Sequence, residues 1–138
     1  MEMTLSDGDH LLIDTFSYRI GSPKRNDIIV FKPNGSDTSH TYIKRVIGLP
    51  GETVQIKDGM IYINGTVYLE KTDYPAINNP GLAADEIKLG TTEYFVLGDN
   101  RNNSEDSRFA DVGLVDANYI EGRVWLRFMP FDNFGLVK

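Results

Sequence analysis

The sequence predicts a mainly β fold in which short antiparallel strands form a barrel or a sandwich. Its apolar runs are short, Gly and Asn turns separate them, and no long amphipathic helix or internal repeat occurs. The 138 residues have the size of one ordinary domain. We therefore expect residues 1–138 to form a single β domain.

Turn formers divide the first half of the chain into a series of predicted strands. Asn64-Gly65 is a strong hairpin signal, so the strands on either side of it are expected to pair. The loop at 33–37 also consists of turn formers, which predicts a second hairpin from the strands that flank it. The predicted strands are residues 10–14, 15–20, 28–32, 41–47, 53–56, 60–63 and 66–69.

The second half begins with a weakly patterned segment, residues 70–90. It contains Pro75 and the turn-forming run 78–81, followed by a stretch at 82–86 that fits a short helix. We expect this segment to be a surface excursion rather than core. Further strands are predicted at 92–97, 114–115 and 122–128.

The composition excludes several classes of function. Hydrophobic residues make up 41% of the chain and charged residues 25%, as in a folded globular protein. A net charge of -6 argues against nucleic acid as the main partner, because phosphates bind basic surfaces. There is no cysteine, and His10 and His40 lack companions at metal-ligand spacing, so we expect no metal and no other cofactor. No apolar run reaches the roughly 18 residues that a membrane span needs.

Lys44 is the first candidate catalytic residue. The period of a strand puts Tyr42, Lys44 and Val46 on one face. Loss of hydration there disfavours the ammonium form and lowers the lysine pKa from about 10.4, and a neutral lysine can act as a general base. The alternative is an ordinary edge-strand lysine whose ammonium reaches water, which is the commoner case for such a run alone.

The loop at 98–108 is the second candidate feature. It holds three acids, two arginines, two serines and three asparagines directly after an apolar strand. A solvated, turn-rich loop would have a similar composition. Against that, Asp106 and Arg108 are spaced for a fork-like ion pair, and Ser104 or Ser107 could contact a buried group. A neutral lysine needs such a group to orient it.

Three blocks of the chain together resemble the type I signal peptidases, membrane proteases with a Ser-Lys dyad that remove signal peptides from exported proteins. Residues 42–51, Tyr-Ile-Lys-Arg-Val-Ile-Gly-Leu-Pro-Gly, match the block around the general-base lysine. Residues 98–108, Gly-Asp-Asn-Arg-Asn-Asn-Ser-Glu-Asp-Ser-Arg, followed by Gly113 and Val115, match the C-terminal signature. Residues 26–31 match an intervening block that usually has glycine in place of Asn26.

The resemblance implies a role for each matched residue. Lys44 would be the general base, and Ser104 would hydrogen-bond its amine and orient it. A supporting polar network would consist of Asp99, Arg101, Asp106 and Arg108. The substrate would bind as an added β-strand, and shallow apolar pockets would select small residues such as Ala. The residues expected to bind substrate are Met1, Leu5, Val30, Thr41, Tyr42 and Ile43.

The match departs from the family pattern at its front. The nucleophile block reads Ser-Met-x-Pro-Thr-Leu, whereas this chain opens Met1-Glu2-Met3-Thr4-Leu5. The nucleophilic serine would therefore be the residue immediately before Met1, and we expect the chain as given to be inactive. The membrane anchor would also lie upstream. The implied partners are signal peptides of preproteins and the membrane surface, with the domain on the extracytoplasmic face of the cell membrane.

The short 70–90 segment stands where some family members carry a large second β-domain, so the chain resembles the compact form typical of Gram-positive bacteria. Two other functions stay open. A self-cleaving Ser-Lys repressor has related chemistry, but no DNA-binding domain is visible and the C-terminal signature does not fit. A peptide-binding β-module without chemistry is the alternative from a different class.

Overall fold

The structure is a computed structural model and describes residues 10–14, 22–33, 41–129 and 135–136. The predicted strand at 15–20 and the predicted substrate residues Met1 and Leu5 lie outside the described residues, as does His40. Within the described ranges the chain forms two antiparallel sheets. The predicted mainly β fold class is therefore confirmed.

The strands of the described residues follow the predicted order closely. They are β1 (His10–Asp14), β2 (Ile28–Phe31), β3 (Tyr42–Gly48), β4 (Thr53–Lys57), β5 (Met60–Ile63), β6 (Thr66–Val67), β7 (Ile87–Lys88), β8 (Glu93–Leu97), β9 (Val115–Asp116), β10 (Ile120–Met129) and β11 (Gly135–Leu136). The sequence does not predict β7 or β11, each of which is only two residues long. 3₁₀ helices lie at Gly81–Ala84 and Ala117–Tyr119.

The strands divide into a large and a small sheet. The large sheet has the order β1-β10-β2-β3-β8-β9, with β11 beside β10, and the small sheet has the order β6-β5-β4-β7. Both predicted hairpins form: β2 pairs with β3, setting Ile29 opposite Lys44, and β5 pairs with β6 around the Asn64-Gly65 turn. The small sheet connects β3 to β8, which lie side by side in the large one.

Strand β3 is buried on both faces at its C-terminal end. Ile47 packs into a core shared with the small sheet, which includes Val54 and Ile56. Val46 points the other way, into a second core with Ile29. Because side chains alternate along a strand, Lys44 lies on the same face as Val46. The sheet therefore carries the lysine to the border of an apolar core.

The expectation that residues 70–90 form a surface excursion is wrong for three of its residues. Ile77, Ala83 and Leu89 are buried in the core beneath the small sheet, and β7 pairs with β4. The predicted helix at 82–86 is a single 3₁₀ turn over Gly81–Ala84. The buried residues are widely spaced along irregular chain, so they give no periodic signal in the sequence.

Asn26 begins the approach to β2 in a left-handed conformation, with φ of 76°. Its N–H donates to the carbonyl of Val46 over 2.8 Å, so the turn closes onto β3. Glycine adopts this conformation without strain, and asparagine is among the few other residues that tolerate it. The geometry explains why the resembling block usually has glycine here. Asn26 adds a link of its own, since its Oδ1 accepts from the Tyr68 hydroxyl over 3.1 Å.

We predict that Asn26→Ala lowers the free energy of unfolding by about 1–2 kcal/mol, because alanine tolerates this φ less well than asparagine and also loses the bond to Tyr68. Asn26→Gly should lose less, since it relieves the strain and forfeits only the bond to Tyr68. Urea unfolding of both variants measures the difference, with Tyr68→Phe reporting the lost hydrogen bond alone. Equal losses for Ala and Gly would contradict the explanation.

Candidate active site

Lys44 projects from β3 at the edge of the apolar core that contains Val46 and Ile29. Its ammonium nitrogen lies 5.9 Å from the centroid of the Tyr42 ring. Burial lowers the pKa of Lys44 below its ordinary value, although the carboxylate of Asp106 acts in the opposite direction. The direction is the one expected from the strand pattern. Loss of hydration outweighs the attraction of the nearby carboxylate.

Ser104 brings a hydroxyl from the 98–108 loop onto this amine. Lys44 Nζ donates to Ser104 Oγ over 3.1 Å, and Ser104 Oγ in turn donates to Asp106 Oδ2 over 2.9 Å. A hydroxyl has one proton, and Ser104 uses it in the hydrogen bond to Asp106. Ser104 can therefore only accept a hydrogen bond from the lysine. The lone pair of a neutral Lys44 amine is therefore left for another donor, as a general base requires.

Asp106 is the acceptor on which this arrangement rests. Its side chain is fully buried, yet it accepts hydrogen bonds from three residues. The Arg108 guanidinium gives two, from Nε over 2.8 Å and Nη2 over 2.9 Å, which is the fork-like pair expected from the spacing. The Gly98 N–H gives another over 3.0 Å. A buried carboxylate is tolerated only when it is paired in this way.

The other two expected network residues form ion pairs with partners that sequence reasoning missed. Both carboxylate oxygens of Asp99 accept from Arg45, each over 2.8 Å. Arg101 gives a similar fork to Glu70, over 2.7 and 2.8 Å. Strand alternation could have flagged Arg45, because an arginine on the face opposite Lys44 is buried and needs an acid. No sequence signal marked Glu70.

Gly98 is a further site residue that sequence reasoning missed. A β-carbon at this position would collide with Ser104 Oγ and lie 3.3 Å from Lys44 Nζ. Gly98 is not among the glycines with a positive φ, so close approach alone requires the missing side chain. Glycine here allows the loop to approach β3 closely enough for the serine to reach the lysine.

The expected substrate residues are divided between the two faces of the large sheet. Tyr42 lies half-buried on the face of Lys44. Val30 and Ile43 are paired across β2 and β3 and pack together on the opposite face. Thr41 is exposed just before β3.

The first residues of β3 present an open edge. Pairing with β8 covers Arg45, Val46 and Gly48, and at Gly98 the chain leaves the sheet for the loop. Val46 N–H donates to Asp27 O on the β2 side, so by alternation the main-chain groups of Ile43 point away from β2. Among the described residues no strand pairs with Ile43 on that side.

Two further features concern the described part of the chain only. No group of three or more histidine or acidic side chains there is arranged to hold a metal ion. No helix there is both long and apolar enough to cross a membrane.

Comparison with known proteins identifies the class as a peptidase. The sequence model described as "Signal peptidase, peptidase S26" matches residues 1–129, and the chain belongs to this family. A probable signal peptidase I-2 from Synechocystis sp. is 39% identical over 99% of this chain. A signal peptidase I from Leptolyngbya laminosa is 40% identical over 96% of it. The chain spans 62% and 66% of the lengths of these two relatives.

The fold comparison agrees with the family. The crystal structure of a signal peptidase I from Enterococcus faecalis matches with a TM-score of 0.59 and 32% identity. The match covers 75% of this chain and 97% of that one. The antiparallel architecture is thus that of a solved family member.

We predict that Gly98→Ala returns the pKa of Lys44 toward its ordinary value. The new methyl group displaces Ser104, which opens the lysine to water and removes the desolvation that lowers its pKa. Titration of labelled lysine by NMR measures the change. Gly65→Ala is the control for backbone strain without a collision, because its φ of 80° disfavours a side chain but nothing lies within 4 Å of its would-be β-carbon. An unchanged Lys44 pKa in Gly98→Ala would contradict the prediction.

We also predict that Lys44→Met stabilises the protein by about 0.5–2 kcal/mol near neutral pH, as expected when a functional group is costly to bury. The pKa of Lys44 is lower in the folded state, so the unfolded state binds more protons and wild-type stability rises with pH. The gain from methionine should therefore shrink as pH approaches about 10.4, where the unfolded lysine also loses its proton.

Denaturant unfolding at neutral pH and near pH 10 tests this stability prediction. The exposed Lys57, replaced by methionine, serves as the control and should show no comparable gain. A Lys44→Met gain that grows with pH would have the wrong sign.

Proposed function

We propose that the chain carries the catalytic domain of a signal peptidase that cleaves signal peptides from exported preproteins after small residues. The observation that carries this proposal is the hydrogen-bonded series from Lys44 through Ser104 to Asp106. It leaves a lysine of lowered pKa, whose lone pair is free in the neutral form, beside an open strand edge. Membership of the signal peptidase family supports the same activity.

In the proposed reaction the nucleophile is a serine immediately before Met1, assigned from the match of the opening residues to the nucleophile block. Neutral Lys44 removes the hydroxyl proton as the serine oxygen attacks the scissile carbonyl. The protonated lysine then gives that proton to the departing amine, which leaves an acyl-enzyme for water to hydrolyse. Ser104 stays a hydrogen-bond acceptor throughout, and Asp106 and Arg108 hold it in place.

Substrate is proposed to add as a β-strand along Thr41, Tyr42 and Ile43. The outward main-chain groups of Ile43 supply the backbone hydrogen bonds of such an addition. Alternate substrate side chains then face opposite sides of the sheet, toward Tyr42 on one side and toward Val30 and Ile43 on the other. Met1 and Leu5 complete the apolar pockets in this proposal, on the strength of the sequence match.

The remaining parts of the proposal concern the setting of the enzyme. Residues 1–138 act as one catalytic domain on the extracytoplasmic face of the cell membrane, held there by an anchor upstream of the serine. Its partners are preprotein signal peptides and the membrane surface. Family membership supports this setting, because signal peptides are processed where exported proteins emerge.

The test is cleavage of a peptide with Ala at the two specificity positions by the protein with its natural upstream residues, beginning before the serine. We expect kcat/KM to rise with pH as Lys44 loses its proton, with the midpoint below the ordinary lysine value of about 10.4. Lys44→Ala should reduce the rate by about 10²–10⁴-fold, as for loss of a general base.

Residues 1–138 alone serve as the binding control. They should bind the uncleaved peptide, as measured by calorimetry, and release no product. Cleavage that survives Lys44→Ala would overturn the mechanism. Binding without cleavage by the serine-containing protein would instead favour a peptide-binding module.

A further inference from the structure

Residues 70–82, here called the supporting segment, contact the 98–108 loop along most of its length. Asn102 accepts from the Asn78 N–H over 2.9 Å and donates to the Ala76 carbonyl over 3.2 Å. At the far end of the loop, Leu82 N–H donates to the Arg108 carbonyl over 2.7 Å. The segment therefore holds the loop that carries Ser104, although it contains none of the matched family blocks.

Arg101 is the centre of these contacts. Its Nη1 and Nη2 form the fork with Glu70, and its guanidinium stacks on the Tyr74 ring, with the central carbon 4.0 Å from the ring centroid. On its other side Nε donates to the Gly98 carbonyl over 2.8 Å. Glu70 thus acts on the main chain of Gly98 through one fully buried guanidinium.

The position of the 98–108 loop relative to Lys44 depends on Gly98. Its N–H bonds to Asp106, and its backbone lies against both Ser104 and Lys44. A shift of the Gly98 main chain would displace the Ser104 hydroxyl from the Lys44 amine. Displacements of about 1 Å cost enzymes on the order of 100-fold in rate. A side chain that fixes the position of Gly98 therefore affects the rate of the reaction.

Little apolar packing is available to replace the Glu70 contact. Cavities of about 280 and 220 Å³ flank the segment, and Glu70 and Tyr74 line both of them. Removing one partner of a buried ion pair also leaves the other charge uncompensated. Arg101 would then attract water and lose its hydrogen bond to the Gly98 carbonyl.

We propose that Glu70 is a positioning residue for the peptidase reaction, acting through Arg101 on the Gly98 peptide so that Ser104 stays aligned with Lys44. This inference rests on the proposed function. It assigns a positioning role to a segment outside the three blocks on which the sequence resemblance rests.

The experiment compares Glu70→Gln with wild type in the serine-containing protein. We expect kcat to fall by about 10–100-fold with a smaller change in KM. The rise of kcat/KM with pH should move to higher pH, because a loosened loop admits water to Lys44 and weakens its desolvation. Glu70→Asp keeps the charge and should recover part of the rate.

Glu52→Gln is the matched control. Glu52 forms the same fork with Arg25, over 2.7 and 2.8 Å, and none of its hydrogen bonds reaches the 98–108 loop. A merely structural role predicts that both variants lose thermal stability and that neither moves the pH profile. A positioning role for Glu70 predicts that Glu70→Gln shifts the pH profile of kcat/KM and that Glu52→Gln does not. The exposed Asn102→Ala, which removes two contacts of the supporting segment, should change the profile in the same direction by less.

The outcomes separate this inference from the proposed function. If wild type does not cleave the peptide, the proposed function fails, and NMR titration of Lys44 still tests positioning, because Glu70→Gln should raise its pKa. If wild type cleaves and Glu70→Gln keeps its rate and pH profile, the positioning role is overturned. It is also overturned if Glu52→Gln moves the pH profile as far as Glu70→Gln does.

Discussion

The arrangement around Lys44 depends on the carboxylate of Asp106. It accepts a hydrogen bond from the only hydroxyl proton of Ser104. The hydroxyl oxygen can therefore only accept a hydrogen bond from the lysine. A bare carboxylate so close to an amine would favour the ammonium form. Burial outweighs that effect and lowers the pKa of Lys44, and the positive charge of Arg108, which forms a fork with the carboxylate, acts in the same direction. Asp106 therefore orients the site while the pKa of the lysine stays below its ordinary value.

Two adjacent residues of β3 show how the partner of a buried cation affects its pKa. Lys44 meets a neutral hydroxyl, and burial lowers its pKa. Arg45 points to the opposite face and is also desolvated, yet its fork with Asp99 raises its pKa overall. Alternation along one strand thus supplies a base on one side and a permanent structural cation on the other. The two roles stay separate because the sheet lies between them.

The parts of this design that are local in sequence could be predicted from the sequence, and those that depend on tertiary pairing could not. The period of two around Lys44 and the two-residue spacing of Asp106 and Arg108 indicate the base and its support. The pair of Arg45 and Asp99 joins residues 54 apart, and that of Arg101 and Glu70 joins residues 31 apart. Such pairings are set by how distant segments pack in the folded chain, which no local pattern encodes. The core positions in the 70–90 segment escape prediction because they lie along irregular chain and give no periodic signal.

Gly98 connects two of the buried ion pairs of the loop, Asp106 with Arg108 and Arg101 with Glu70, through a single residue. Its N–H donates to the carboxylate held by Arg108, and its carbonyl accepts from the guanidinium held by Glu70. The main chain is therefore fixed from both directions, while the missing side chain leaves room for the serine and the lysine. A loop of polar residues would ordinarily be mobile on the surface. Here paired charges on both sides of Gly98 hold the loop where the Ser104 hydroxyl lies within hydrogen-bonding distance of the Lys44 amine.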